Sequence, residues 1–421
     1  MGLRINYSQL KSQLLKSTFL SLLLVSFIAN SQANSNEETN VSSITSIGEL
    51  ASELNLAPFF IDSFDDMQTH HWQEDGNWKG DMQNDATAFA PELLYMVADY
   101  LGPAGDEFYQ RAYKTSQYEY SVIFDVLPSV FRWDLDAWQI FDAAVGGYSY
   151  VSCNAYGRGV HKTLCDLFLI PVLNIGTWLL NSPIYEAVGI FDSLTAVVLS
   201  RAAQINVDVY RTTEQPHYLN NAARLMKKLE SITNADDDGY YEGNISGWSQ
   251  ASPLVAYSVL YSASGDESYL EKVEKILAVQ ERDFLFGVPE VSEAYWEIAH
   301  IDLGSNQDEY VLAASTHAQF FESYVVLYEA TGSEYYLEKA ERFLSFAVNE
   351  LYLGDLDASY DGYLDVVRSK PHFTHDITWV AGEIDGANAE VSLDYCTGES
   401  FNFLRIYWRL VMAKRYWEGD F

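Results

Sequence analysis

A pair of helices recurs along this chain, and such a repeat limits the fold more than composition does. One pair cannot bury its own apolar face, so it must stack on copies of itself. The clearest copy runs from Tyr310 to Leu351. Its first helix, about Thr316 to Ala330, is apolar nearly all the way round through Phe320, Phe321 and Tyr324 to Tyr328, the pattern of a helix buried on every side. Its second, Glu334 to Leu351, is apolar on one stripe only: Leu337, Ala340, Phe343, Leu344, Ala347 and Leu351 recur at three- and four-residue steps. Between them Thr331-Gly332-Ser333 places a glycine where the first helix must stop and a serine that can cap the next. The unit is therefore one inner and one outer helix of a layered, all-helical body.

The outer-helix signature repeats. Tyr336-Leu337-Glu338-Lys339-Ala340 aligns with Tyr269-Leu270-Glu271-Lys272-Val273, more loosely with Tyr218-Leu219-Asn220-Asn221-Ala222, and weakly with Phe108-Tyr109-Gln110-Arg111-Ala112. The interval from 108 to 218 is about two units long, so a second, less regular pair is expected inside it: Asp134 to Ala144 inner, Lys162 to Leu180 outer. The other inner helices are expected at Asp85 to Tyr100, Asp192 to Asn206 and Ser249 to Ala263. A last all-round apolar helix, Glu399 to Lys414, has no outer partner after it. A short N-terminal helix, Ile47 to Leu56, is placed to close a ring of six beside it. Phe59 to Lys79 reads as irregular, and strand signals are confined to short runs such as Gly239 to Glu242 and Gly362 to Val367.

The alternation of buried and amphipathic helices, the Tyr-Leu-Glu-Lys-Ala run after Thr-Gly-Ser or Ser-Gly-Asp, and Asp361-Gly362-Tyr363 beyond an outer helix resemble the six-hairpin glycosidase superfamily. The resemblance covers residues 80–390 well and the rest loosely. It implies an (α/α)6 toroid, a scaffold that hosts glycoside hydrolases, unsaturated glucuronyl hydrolases, sugar epimerases and polysaccharide lyases. No motif selects one of these activities, and fold alone does not settle function.

Residues 1–33 read as an export signal: basic Arg4, Lys11 and Lys16, an apolar stretch Phe19 to Ala29, then small Ser31 and Ala33. A flexible segment, 34–46, and one toroid domain, 47–421, are expected to follow, in the periplasm or outside the cell. Leu164 to Leu180 is interrupted by Asp166, Pro171 and Asn174, so it reads as a buried helix and not a membrane span. A net charge of −35 repels nucleic acid and anionic membrane surfaces. In an exported chain with three cysteines, Cys153 and Cys165 are the expected disulfide, because only a short loop separates them, and Cys396 is left over.

Short turns all join inner-helix ends to outer-helix starts and so share one rim. The long connections share the other rim, where inner helices begin, and long loops on a rigid scaffold are where sites are built. The expected catalytic residues there are Asp85 and Glu399, a carboxyl pair able to act as acid and base across a glycosidic bond, with His317 assisting. Trp78, Asp192, Tyr240, Trp248, Gln250, Tyr363 and Trp379 are the expected substrate contacts, since flat rings stack on sugar faces and polar groups meet hydroxyls. The same acids also suit helix starts as capping residues, and His317 equally suits a buried structural role. A lyase or epimerase using histidine or tyrosine as base, or a glycan-binding protein without catalysis, are the alternatives. No cofactor and no metal is expected. His372, His375 and Asp376 have a spacing that permits a metal, and Asn234 to Gly239 begins like a calcium loop, but Ile245 stands where the last ligand belongs. The expected partner is an oligo- or polysaccharide.

Overall fold

The computed structural model describes residues 47–79, 83–130, 192–232, 247–283, 285–287, 297–299, 302–303, 309–354, 371–374, 376–380, 383–387 and 397–419. Five inner helices run through the described body: α3 (Gln83–Leu101), α5 (Asp192–Thr213), α7 (Gly247–Ser264), α9 (Ala314–Thr331) and α11 (Thr397–Glu418). Each has an outer neighbour. α4 (Asp106–Val130), α6 (Pro216–Ile232), α8 (Glu267–Asp283) and α10 (Glu334–Phe346) follow their inner helices and pack back on them. The pair expected between 131 and 191 lies outside the described residues.

The division of labour follows from the side chains. Every residue of α9 from Ala314 to Tyr328 is buried, as an all-round apolar helix requires. α10 buries Tyr336, Ala340, Phe343 and Phe346 on one face. The turns between partners are tight: Gly265 and Gly332 take φ of +66° and +64°, a region glycine enters without steric penalty. Ser333 occupies the N-cap of α10, but its side chain makes no capping bond; its amide is held by the Thr331 hydroxyl at 3.2 Å instead.

The ring closes between the first and the last described helices. α11 packs on both α9 and α3, and its outer partner is supplied by the N-terminal segment, α1 (Ile47–Leu54) and α2 (Pro58–Asp66), the latter extended by a π turn, Met67–His71. Phe59 and Phe60 of α2 meet the Tyr407 ring at 4.9 and 5.6 Å, Phe60 meets Trp408 at 5.9 Å, and the Ala57 amide donates to the Tyr407 hydroxyl at 2.9 Å. The irregular reading of 59–79 is thus corrected for its first half. Proline at the first helical position starts α2, and burial of Phe59, Phe60, Phe64 and Met67 holds it.

Strand structure is also more extensive than the sequence reading expects. β3 (Asp302–Leu303), β4 (Glu309–Ala313), β5 (Asp376–Val380) and β6 (Glu383–Ala387) form a four-stranded antiparallel sheet, after a separate hairpin of β1 (Leu285–Gly287) and β2 (Glu297–Ala299). β4 runs directly into α9, so the sheet stands on the rim where inner helices begin. The two strand runs named from sequence lie outside the described residues. Among the described residues no helix is long and apolar enough to cross a membrane.

Candidate functional site

The mouth is built by the first turns of the inner helices. Asp85 is the third residue of α3, Asp192 the first of α5, Trp248 and Gln250 the second and fourth of α7, His317 the fourth of α9, and Glu399 the third of α11. Because α3 and α11 pack against each other, Asp85 and Glu399 occupy matching turns of adjacent helices on the long-loop rim. The positive helix end there favours a carboxylate. Glu399 is buried to 2% exposure, and the start of its helix is fixed by Thr397, whose hydroxyl donates to the Lys79 carbonyl at 3.0 Å. Trp379 lies in β5 opposite Tyr310 of β4, within the sheet on the same rim.

Two expected site residues serve the packing instead. Trp78 is fully buried; its indole Nε1 donates to the Thr115 hydroxyl at 3.1 Å, and its ring lies 5.2 Å from Trp72 and 4.6 Å from Phe401. It is a post beneath the start of α11, with no face open to a sugar. His317 is also fully buried. Its Nε2 meets the Phe343 carbonyl at 2.7 Å and the Phe343 and Phe346 rings enclose it at 4.8 and 5.0 Å. The carbonyl only accepts, so Nε2 carries the hydrogen. Burial pulls its pKa down to about 4 despite that bond, so the ring is neutral at neutral pH and wedges α9 against α10. Tyr240, Tyr363, the Asn234 to Gly239 turn, and Cys153, Cys165 and Cys396 lie outside the described residues.

Beneath the mouth the ring's axis is charged, which the sequence reading missed. Arg405 of α11 forks onto Glu322 of α9, Nη1 to Oε1 at 2.8 Å and Nη2 to Oε2 at 2.9 Å. Its Nη1 also reaches Glu92 of α3 at 3.3 Å and its guanidinium lies 4.6 Å over Phe89. Arg409, one turn on, bonds Glu329 at 3.1 and 2.6 Å and Glu322 at 3.3 Å. Burial opposes ionisation of Glu322, but Arg405, Arg409 and Arg201 outweigh it and hold its carboxyl down to about 2. Glu92 goes the other way, raised by burial beyond what Arg405 and Arg409 offset. Burial likewise lifts Asp208 of α5 to about 7, against the pull of Arg211 and with Glu92 and Glu322 adding to it. Arms from three inner helices thus bond one another, and Arg201 and Asp208 of α5 act on them through charge. Nearer the mouth Ser252 of α7 donates to Gln319 of α9 at 2.9 Å. The signal was present in single charges set within apolar helices: Glu92, Glu322 and Arg405 each sit among aliphatic and aromatic neighbours. A cavity of about 340 Å³, lined by Glu329, Trp408, Arg409 and Trp417 among others, opens at the far ends of α3, α9 and α11 and contains none of the mouth residues.

The metal spacing noted from sequence is rearranged by the fold. Asp376 lies in β5 and His375 lies outside the described residues, whereas His372 turns toward Asp66 and His71 from the π turn after α2.

No protein-family model matches the chain, and no curated protein matches it in sequence. Solved structures do match. A D-mannose isomerase superposes with a TM-score of 0.54 at 10% identity, covering 88% of this chain and 99% of the other. A GH76 α-mannanase of Bacteroides thetaiotaomicron gives 0.55 at 10% identity, over 85% and 96%. An unsaturated glucuronyl hydrolase specific for heparin gives 0.51 at 14% identity, over 88% and 99%. Likeness at such identity is one of fold: the chain is an (α/α)6 toroid. Those three proteins carry out different reactions on it.

Proposed function

We propose that the protein is an exported carbohydrate-active enzyme that hydrolyses a glycosidic bond of an oligo- or polysaccharide, with Asp85 and Glu399 as its carboxyl pair. The observation that carries the reading is their placement in matching first turns of adjacent inner helices, on the long-loop rim of an (α/α)6 toroid. In such chemistry one carboxylic acid protonates the leaving oxygen. The other carboxylate activates water or attacks the anomeric carbon, depending on the separation of the two. Trp248, Tyr240, Tyr363 and Trp379 supply ring faces to the sugar, and Asp192 and Gln250 meet its hydroxyls. His317 acts through packing, by fixing α9 against α10, and not by touching substrate. Export rests on the basic and apolar run of residues 1–33, and a mature N-terminus at Asn34 in protein sequencing of the exported chain is its check.

A panel of neutral and uronic-acid-containing glycans tests the reaction class. New reducing ends without the ultraviolet absorbance of an unsaturated uronide support hydrolysis. Reducing ends with that absorbance indicate elimination, and a changed sugar without new ends indicates epimerisation. Binding with no chemistry would overturn the enzymatic reading.

A further inference from the structure

We propose that Asp66, His71 and His372 bind a divalent transition-metal ion of the zinc class, at the seam where the N-terminal helix closes the ring. The three offer ligand atoms that all lie within 4.8 Å of one another. Asp66 Oδ2 stands 3.0 Å from His372 Nε2 and 3.3 Å from His71 Nε2. Zinc bonded at about 2.0–2.1 Å in tetrahedral geometry separates its ligand atoms by about 3.3 Å, which both distances from the carboxylate oxygen already approach.

The protons point the same way. His71 Nδ1 lies 2.8 Å from the Lys79 carbonyl, which only accepts, so Nδ1 carries the hydrogen. With its Nδ1 hydrogen spent on that carbonyl, the ring turns Nε2 toward a carboxylate oxygen, a pair that a shared cation holds together, either a second proton or a metal ion. His372 Nδ1 faces the Ser400 hydroxyl at 3.3 Å, leaving its Nε2 for the cluster. Both rings are thus oriented through their far nitrogens by an outer partner, as metal-ligating histidines are.

The backbone is shaped to the same end. Residues five apart on an α-helix point about 140° away from each other. The π turn at Met67–His71, closed by the Trp72 amide on the Met67 carbonyl at 3.2 Å, widens the last turn and returns His71 to the face of Asp66. Turns of this kind gather at functional positions. Beside it the Ser63 hydroxyl donates to the Pro371 carbonyl at 2.5 Å, fixing the segment that carries His372. The His372 side chain is 1% exposed, that of His71 12% and that of Asp66 25%, so one side of the cluster opens to solvent, where water completes four-coordination. The ion joins α2, the 371–374 segment and, through Ser400, the first turn of α11.

The test uses the full exported chain after chelator treatment. Co²⁺ titration is expected to give the visible bands of four-coordinate cobalt at one equivalent, and Zn²⁺ to displace it and raise the melting temperature. Asp66→Asn and His71→Gln each abolish the bands. Ser400→Ala, which reaches the ion only through His372, weakens Zn²⁺ affinity about 10–100-fold. His71 is at the rim of the cluster, so His71→Gln keeps the comparison sound if a His372 variant fails to fold. Zn²⁺ uptake in the parent equal to that of His71→Gln would overturn the proposal. So would a melting temperature that follows pH in the parent with no cobalt bands at any ratio, which would make the cluster a metal-free imidazolium and carboxylate pair.

Discussion

Glu322 shows how a buried carboxylate becomes acceptable inside an apolar helix: a bidentate guanidinium and a second arginine replace the water it loses. Removing the partner is therefore worse than never having had the pair. Arg405→Met is expected to cost about 3–5 kcal/mol in urea denaturation. The pH dependence has two limbs of opposite sign. Glu322 has its folded pKa depressed from 4.5 to about 2, so its contribution is complete above 4.5 and fades as pH falls toward 2. Asp208 is raised from 3.8 to about 7, so the folded state holds its proton longer and stability declines as pH rises across that interval. Asp208→Asn is expected to flatten the decline between pH 4 and 7, with stability on the order of 1–2 kcal/mol above the parent at pH 8. Melting temperatures measured across pH for both proteins check this, and an unchanged slope would contradict it.

At the scale of elements, periodicity made the helical pairs legible because burial on a cylinder recurs at a fixed step. α6, α8 and α10 read out as single stripes, and α9 as a helix with no polar face. α2 escaped because Asp62, Asp65 and Asp66 break its apolar pattern, and its buried face includes the paired Phe59 and Phe60 rather than a regular stripe. The mouth sheet escaped for another reason: the runs in β4 and β5 are five residues each, too short to separate from loop, and their pairing joins positions far apart in sequence. Gly332 carries a testable constraint. A β-carbon there would stand 2.8 Å from the Trp417 ring and demand φ of +64° from a side chain. Gly332→Ala is expected to lose about 1–2 kcal/mol. Because the half-exposed Trp417 can shift while the backbone cannot, Trp417→Ala should recover only part of that loss in a double-mutant cycle.

For the whole molecule, the decisive fact is that the last described helix takes its outer partner from the first described ones. Phe60→Ala, at a fully buried position between α2 and α11, is expected to cost about 3–5 kcal/mol and to open 47–79 to limited proteolysis ahead of the rest. The rim that holds Asp85 and Glu399 was legible from loop lengths alone, since short and long connections must alternate around a ring. Which residues on that rim face inward was not, and Trp78 and His317 show why: an aromatic before a helix, or an imidazole in its first turn, fits the packing between helices as well as it fits a ligand. The charged axis was overlooked because isolated charges in apolar helices gain meaning only when neighbouring helices bring them together. The account rests on the acid pair, and turnover of a glycan substrate by Asp85→Asn and Glu399→Gln measures it most directly. Each substitution is expected to lower kcat by about 10²–10⁴-fold with the melting temperature retained; full turnover in either variant would contradict the assignment.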